Sequence, residues 1–439
     1  MKNFRTRYLL LLIALFLFTN SFAQERLTLK QAVDIALENN YDIKLISNDL
    51  KISKNNVNLA AAGILPVVNG TFTDNNSIQN SEQTAATGVV TTRKGARNTN
   101  INYGANLNWT IFDGLGMFAR YDNLQELQKL GESNLKLTIL NTVSDVIGTY
   151  FNLVQQKQQL QAADTAVYIS RLRVETAQNR YTIGKAAKLE VLNANIALNT
   201  DTTNLLRQRT TYHNTQITLN QLLARDVNTQ FSVDDSITID ANLNFQQLST
   251  AALQQNPSLQ AAIISQNIAN LNLKTVKARR YPTIGLTSGY SFTRSTSALG
   301  FASRNLGRGF SYGVTASMNI FNGFLQSRNE QNARTNIEST QLDYKRVELS
   351  VNAQLSAAYQ TYLTSLELVK LEKNNERIAK QNLDITLEKF RIGSITPLEF
   401  RDAQLNYVSA SVRFTSAQYE AKLAEISLNQ IAGTLRLDQ

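Results

Sequence analysis

The chain carries the same sequence pattern twice. Ile-Phe-Asp-Gly at 111–114 returns as Ile-Phe-Asn-Gly at 320–323, and Tyr-Thr-Ile-Gly at 181–184 returns as Phe-Arg-Ile-Gly at 390–393. Both pairs have the same separation, 209 residues. A period of this length is too long for a solenoid repeat and indicates a duplicated half-protein. Two similar halves must therefore build the fold together.

The N-terminus predicts export from the cytoplasm. Three basic residues precede an apolar run from Tyr8 to Phe18, and small residues around Ala23 follow. This order is typical of a secretory signal peptide, here residues 1–23. The apolar run is too short for a membrane helix, and the absence of cysteine excludes a disulfide framework. We expect the mature chain to be held by packing, by assembly or by a β-type membrane segment.

Composition argues against two classes of function. The formal net charge is +10, but basic and acidic residues are interspersed along the chain, without the basic tract of a nucleic-acid-binding protein. His213 is the single histidine and there is no cysteine, which leaves no zinc-binding set and no nucleophile–histidine pair. We therefore expect neither an enzyme nor a cofactor.

The repeat also sets the expected domain organisation. After the signal peptide, we predict a first repeat over residues 24–224, a connector over 225–244 and a second repeat over 245–439. In the connector, Ile237 and Ile239 alternate with polar residues. Such alternation predicts a short strand rather than a disordered linker.

Long helices dominate each repeat. The stretch from Gly114 to Ile183 contains no proline, and apolar residues recur at alternating spacings of three and four in both copies, as in coiled coils. Gly184 and Gly393 follow these helices, where we expect left-handed caps before tight reversals, and Pro397 suits the first turn of a returning helix. The predicted opening and returning helices cover Leu29–Ala62, Leu189–Ala224, Phe245–Arg279 and Leu398–Ala432.

The segments before the long helices alternate between apolar and small polar residues. Apolar positions recur in steps of two from Ile101 to Ile111 and from Phe310 to Ile320. Together with shorter patterns upstream, they predict two hairpins, at about 66–112 and 282–321, made of four strands of roughly ten residues. The predicted polar loops lie near Asp74–Thr99 and Arg294–Gly309.

One face of these strands suits lipid and the other suits water. A sheet that is half-buried on a soluble core would also alternate. Here, however, the polar face carries Asn, Ser, Thr and Gly with almost no charge, and aromatic residues collect near the strand ends, as in a membrane barrel. The predicted lipid-facing positions include Leu107, Trp109, Tyr312 and Val314. Because the smallest membrane barrels have about eight strands, a chain with four is expected to oligomerise.

Taken in order, these features resemble the TolC-type outer-membrane efflux proteins. The resemblance covers the whole mature chain, including the duplication, the hairpins after Pro66 and Pro282, and the turns at Gly184 and Gly393. It implies a mixed α and β membrane protein in which three copies form a transmembrane β-barrel of about 12 strands, continued by a coiled-coil barrel of helices in the periplasm. It also implies a homotrimeric, passive exit duct that works with a periplasmic adaptor and an inner-membrane pump, in efflux or in type I secretion.

The resemblance further assigns residues at the two helical tips. In that family an acidic pair after the second tip glycine narrows the entrance, and the matching positions here are Glu399 and Asp402, with Glu190 offered by the first tip. From the residues alone, acids in the first turns of a helix equally suit the helix dipole. The resemblance implies that the turns contact the adaptor, through Arg180, Tyr181, Gly184, Phe390, Arg391 and Gly393.

The latch that closes the second tip in the best-known relative is altered here. Its tyrosine and arginine correspond to Phe390 and Ile395, whose side chains cannot form hydrogen bonds. Arg391, Arg401 and Lys188 are the candidates to replace them.

Two other interpretations stay open from the sequence. One is a trimeric coiled-coil protein, anchored in the outer membrane, with a structural or adhesive role. The duplicated hairpins argue against it, because a stalk needs only one membrane segment per chain. The other is an outer-membrane barrel enzyme, which the missing nucleophile–histidine pair disfavours. The exported substrate, whether drug, metal ion, peptide or protein, cannot be read from the residues.

Overall fold

The computed structural model describes residues 25–234, 236–298 and 302–435. The predicted signal peptide, 1–23, lies outside the described residues, and the boundaries of the repeats and the connector stay predictions. In chain order the elements are β1 (Glu25–Arg26), α1 (Leu29–Asn39), α2 (Tyr41–Asn56), β2 (Val67–Thr84), β3 (Val90–Asp113), α3 (Gly116–Thr182), α4 (Lys188–Leu222), β4 (Phe231–Ser232), α5 (Phe245–Gln255), α6 (Pro257–Ala278), β5 (Thr283–Ser297), β6 (Arg304–Ser317), α7 (Leu325–Arg391) and α8 (Pro397–Ala432).

The chain divides into two compact units. The helical unit comprises Asn134–Gln260, Val347–Gln439 and the chain up to Ser47, as far as these segments are described. The sheet unit comprises Asn48–Ser133 and Ala261–Arg346. Each unit therefore takes segments from both halves of the sequence.

The predicted heptad seam forms the core of the helical unit. Val143, Val146 and Leu153 of α3 are fully buried, in a cluster that also contains Phe231 of β4. The buried Tyr150 hydroxyl in the same seam donates a hydrogen bond to the carbonyl oxygen of Leu27, at 3.1 Å. The spacing of three and four thus places one continuous apolar stripe of the helix against its neighbours.

The opening helices are broken, where the sequence predicted single helices over Leu29–Ala62 and Phe245–Arg279. The breaks fall at Asn40 and Asn256. Each asparagine accepts a hydrogen bond from a backbone N–H of the next helix, at 2.9 Å, and donates one to the last turn of a returning helix, at Leu222 and Ile431 respectively, also at 2.9 Å. The helices break because these side chains cap one helix while binding another.

The sheet unit holds a four-stranded antiparallel sheet in the order β2-β3-β5-β6. The strands are longer than predicted, with 18, 24, 15 and 14 residues respectively. Most of the predicted polar loops near Asp74–Thr99 and Arg294–Gly309 are therefore strand. Runs of Asn, Ser and Thr are typical of loops, but in these strands their polarity reflects solvent exposure and the backbone hydrogen bonds between strands are intact.

The connector differs from the prediction as well. Its strand is Phe231–Ser232, which pairs in parallel with Glu25–Arg26, and the described residues 236–240 contain no strand. Ile237 is buried in the helical core instead. The alternation therefore reflects a segment that packs one side against the helices, without hydrogen bonds to a neighbouring strand. Among the described residues, none of the helices combines the length and the apolar composition of a membrane-crossing helix.

Candidate functional site

The strand register places the predicted lipid-facing residues on one face of the sheet. Leu107 lies opposite Val68 on one side and Ser288 on the other, and Ser288 lies opposite Tyr312. Trp109 and Val314 belong to the next row of the same face, joined through Leu286. The alternate residues, Asn106 and Thr315 among them, lie on the opposite face. The structure therefore brings these four residues together, while their contact with lipid stays a proposal.

The two edge strands of the sheet are unpaired along their outer sides. Within the described chain, β2 and β6 each have one strand neighbour, so each presents a row of free backbone N–H and C=O groups. Edges of this length normally pair with another strand or are blocked by charge or proline. On the apolar face of the sheet, β6 carries exposed apolar side chains, including Phe310, Tyr312 and Val314.

Both strand-to-helix junctions are built by the repeated Ile-Phe-(Asp or Asn)-Gly motif. Asp113 Oδ1 accepts a hydrogen bond from the backbone N–H of Met117 at 2.9 Å, and Asn322 Oδ1 accepts one from Gln326 at 3.3 Å. The glycine that follows has a φ of +72° at the first junction and +64° at the second, a conformation that favours glycine. The motif therefore repeats because one side chain caps the long helix and the next residue turns the backbone.

The first tip connects α3 to α4 through a glycine turn. Gly184 has a φ of +75°, and its N–H bonds to the carbonyl oxygen of Tyr181 at 3.0 Å. Arg180 and Glu190 face each other across the turn, with 3.6 Å between Nη1 and Oε1. Ala187, at the start of α4, offers no side-chain cap. One loose ion pair thus spans this turn.

The second tip connects α7 to α8 through a better-packed turn. Gly393 has a φ of +80°. Thr396 and Glu399 form a reciprocal capping box, in which the Glu399 carboxylate accepts the N–H of Thr396 at 3.0 Å. Asp402 is exposed on the next turn of the helix. Both acids therefore start α8, and Glu399 already has a structural partner.

Phe390 lies inside the second tip. The family resemblance implies that it belongs to the adaptor contact, and in the structure its side chain is only 2% exposed and stacks on Phe400, with ring centroids 4.8 Å apart. Ile395 packs against the same cluster. These two residues hold the turn by apolar packing, whereas Arg391 stays exposed and pairs with Glu388 at 2.8 Å.

Asp201 is a residue that sequence reasoning missed. Its carboxylate accepts two hydrogen bonds from Arg401, at 2.7 and 3.1 Å, and the pair is largely buried. Ser170 and Gln404 also donate to this carboxylate. Arg401, one of the candidate latch residues, therefore ties α8 to α4 within one chain. Because the partners are 200 residues apart in sequence, spacing alone could not join them.

A second arginine lies buried beside this network. Arg173 is 7% exposed, and its Nε and Nη1 atoms have no hydrogen-bond partner among the described residues. Burial, followed by the positive charge of Arg401, lowers the pKa of Arg173 below its ordinary value. The helices near the tips thus enclose a compact cluster of charges.

Comparison with known proteins decides the family. A family model described as outer membrane efflux protein matches residues 32–225 and 248–434. The chain belongs to this family. It is 21% identical over 420 residues to the outer membrane efflux protein BepC of Brucella suis, covering 94% of this chain and 86% of that protein. It is 23% identical over 324 residues to the outer membrane protein TolC of Escherichia coli, covering 69% of this chain and 63% of that protein.

The solved structures agree on the fold. The outer membrane channel CmeC of Campylobacter jejuni superposes with a TM-score of 0.76 at 18% identity, covering 92% of this chain and 85% of that one. The resemblance to TolC-type proteins is therefore confirmed, as are the outer-membrane location and a role in efflux. The adhesive alternative finds no support, because both matched segments belong to an efflux family.

Proposed function

We propose that the protein is the outer-membrane exit duct of a tripartite efflux or type I secretion system. In this role it passively conducts substrates that a periplasmic adaptor and an inner-membrane pump deliver. The observation that carries the proposal is a four-stranded sheet with one apolar face and two unpaired edges. Pairing β2 of one copy with β6 of the next satisfies both edges, and three copies close a barrel of about 12 strands.

The helical tips take the other functions of the duct. Glu399 and Asp402 are three residues apart on α8 and therefore share a face. Three copies would surround the axis with six such carboxylates, which attract cations and repel anions. Glu190 contributes less charge to the entrance, because Arg180 faces it. The turns around Gly184 and Gly393 are the proposed adaptor contacts, through Arg180, Tyr181 and Arg391, with the buried Phe390 supporting them from within.

The experiment places one arginine on each face of the sheet. Leu107→Arg and Val314→Arg should cost roughly 2–4 kcal/mol at the bilayer midplane, because the charge loses its water. Asn106→Arg and Thr315→Arg are the matched controls on the opposite face, which should insert normally and change single-channel conductance. Insertion is measured as heat-modifiable trimer in outer-membrane fractions. Equal tolerance of arginine on both faces would refute the membrane-barrel proposal.

A further inference from the structure

A basic, aromatic-lined cavity lies at the end of the sheet where the hairpins turn, opposite the strand-to-helix junctions. Its volume is about 510 Å³, and its lining includes Arg294, Arg304 and Arg308 together with Tyr103 and Phe292. The two aromatic rings stack on each other with centroids 5.0 Å apart. The described function of the duct leaves this cavity without a role.

The strand register explains why the three arginines converge. Arg294 on β5 lies opposite Leu306 on β6, and Arg304 and Arg308 lie two residues to either side of that leucine. Diagonal neighbours of this kind lie about 7–8 Å apart, within reach of long side chains, and all three arginines line the cavity together with Leu306. Phe292, directly opposite Arg308, places the group on the apolar face of the sheet.

The charge of this group is not balanced by ion pairs with the described residues. Among the residues that the structure describes, no carboxylate forms an ion pair with any of the three arginines. The nearest acid on the same face, Asp74, lies on the far edge strand and accepts a hydrogen bond from Asn76 at 2.9 Å. Three like charges at this spacing repel one another, and phosphate oxygens accept the paired N–H groups of guanidinium.

The position along the strand fits the level of lipid headgroups. Ile284 belongs to the apolar face near the helix end of β5. At a strand tilt of about 40°, the ten residues to Arg294 rise roughly 25 Å along the bilayer normal, which is the height of the apolar band of a membrane barrel. The arginines therefore lie at the outer boundary of that band, directly beyond Tyr290 and Phe292.

We propose that this cavity binds the phosphate groups of an anionic membrane lipid, whose acyl chains lie against the aromatic face below. A lipid fits better than a free anion because the cavity continues into the apolar face. This inference rests on the proposed barrel, which turns that face toward the membrane. The proposed site lies wholly within the sheet unit and uses no residue of the tips.

The test measures lipids retained by the purified protein. The assembled protein in neutral detergent is titrated with cardiolipin or with phosphatidylcholine, and bound lipids are counted by native mass spectrometry. Cardiolipin should be retained preferentially. Changing Arg304 and Arg308 together to Gln should weaken cardiolipin binding roughly 10- to 30-fold, while phosphatidylcholine binding stays unchanged.

A matched variant controls for net charge. Arg93 and Lys94 lie beyond the part of β3 that pairs with β5, so changing both to Gln removes the same charge at the same end of the sheet. Cardiolipin binding should then fall by less than about threefold. An equal loss in the two double variants, or equal retention of both lipids by the wild type, would overturn the site.

Further outcomes separate the alternatives. Full displacement of cardiolipin by millimolar inorganic phosphate would mean that the site takes free anions, against the proposal. Two results together would mean that the arginines pair with Asp74 of an adjacent copy: tighter cardiolipin binding after Asp74→Asn, and weaker assembly after loss of Arg304 and Arg308. This combination would also overturn the proposed lipid site. If the wild-type protein assembles normally but shows no lipid preference, the lipid site alone is refuted. If it does not assemble, the proposed duct is refuted.

Discussion

The two helical tips share a glycine turn but are held by different forces. At the first tip, Arg180 and Glu190 form a partly exposed ion pair with 3.6 Å between the charged atoms. At the second tip, Phe390 stacks on Phe400 and a capping box closes the first turn of α8. At this separation the two side chains form no hydrogen bond, so the pair contributes little to stability, whereas buried apolar packing contributes several-fold more. Although both tips share the turn motif, the first is therefore held weakly and the second, the firm tip, is held by buried packing.

The firm tip is also tied to the first half of the chain. Arg401, one turn into α8, binds Asp201 of α4 through two hydrogen bonds, and both side chains are mostly buried. This pair supplies a hydrogen-bonded tie near the second tip, where Phe390 and Ile395 cannot form side-chain hydrogen bonds. Variants at both tips test this difference.

The largest effect is expected from Asp201→Ala. It leaves the Arg401 guanidinium buried without its partner, which typically costs 3–5 kcal/mol. Glu190→Ala is the matched change at the first tip and should cost about 1 kcal/mol or less. Hydrogen exchange of backbone amides in α4 and α8 measures the local opening free energy in both variants.

A control separates the charge from the packing. Replacing Asp201 and Arg401 together by Leu removes both charges and should recover much of the lost protection, because paired buried ions are often replaceable by apolar residues. Equal protection in Asp201→Ala and Glu190→Ala would show that the two tips are held alike.

A smaller effect is expected from valine at either tip glycine. Gly184 and Gly393 have positive φ, and no atom lies within 4 Å of a Cβ built at either position. The cost is therefore backbone strain alone, roughly 1–2 kcal/mol, and should be the same at both tips. Export in cells should fall in both variants while the trimer level stays normal.

Gly309→Val serves as the control for the glycine variants. Its φ is not in the left-handed region and a Cβ there also meets no atom within 4 Å, so this change should avoid the strain that the tips suffer. Wild-type export by both tip variants would show that the turns are not the adaptor contacts.

The smallest effect on stability, with a clear effect on conduction, is expected from Glu399→Gln combined with Asp402→Asn. Glutamine can keep the capping box with Thr396, so assembly should be unchanged. Planar-bilayer recordings should show weaker cation preference and weaker block by multivalent cations from the periplasmic side. Glu190→Gln should change selectivity less, because Arg180 already partly balances the charge of Glu190. Unchanged selectivity in the double variant would mean that these acids only start a helix.

Local patterns predicted the long elements well. The absence of proline and the heptad spacing predicted a helix from Gly114 to Ile183, and α3 runs from Gly116 to Thr182. The face of each strand followed from alternation because side chains change sides at every residue. Strand length did not follow, since polar strands outside the apolar band look like loops.

Structural features that depend on residues distant in sequence could not be predicted from the sequence. Asn40 breaks a helix because its side chain reaches the carbonyl of Leu222, and asparagine alone is compatible with a helix interior. Asp201 and Arg401 lie in helical patterns, which predict whether a side chain is exposed or packed but not its partner. The entrance acids and adaptor turns came from family resemblance, and their roles stay proposals.

We propose that one chain supplies a third of a closed barrel. The most direct test is the native mass of the protein extracted from outer membranes in mild detergent. We expect a single species of three mature chains that resists dissociation until it is heated, because every strand edge is then paired. A stable folded monomer with its sheet intact would contradict the account, since β2 and β6 would then remain unpaired in the membrane.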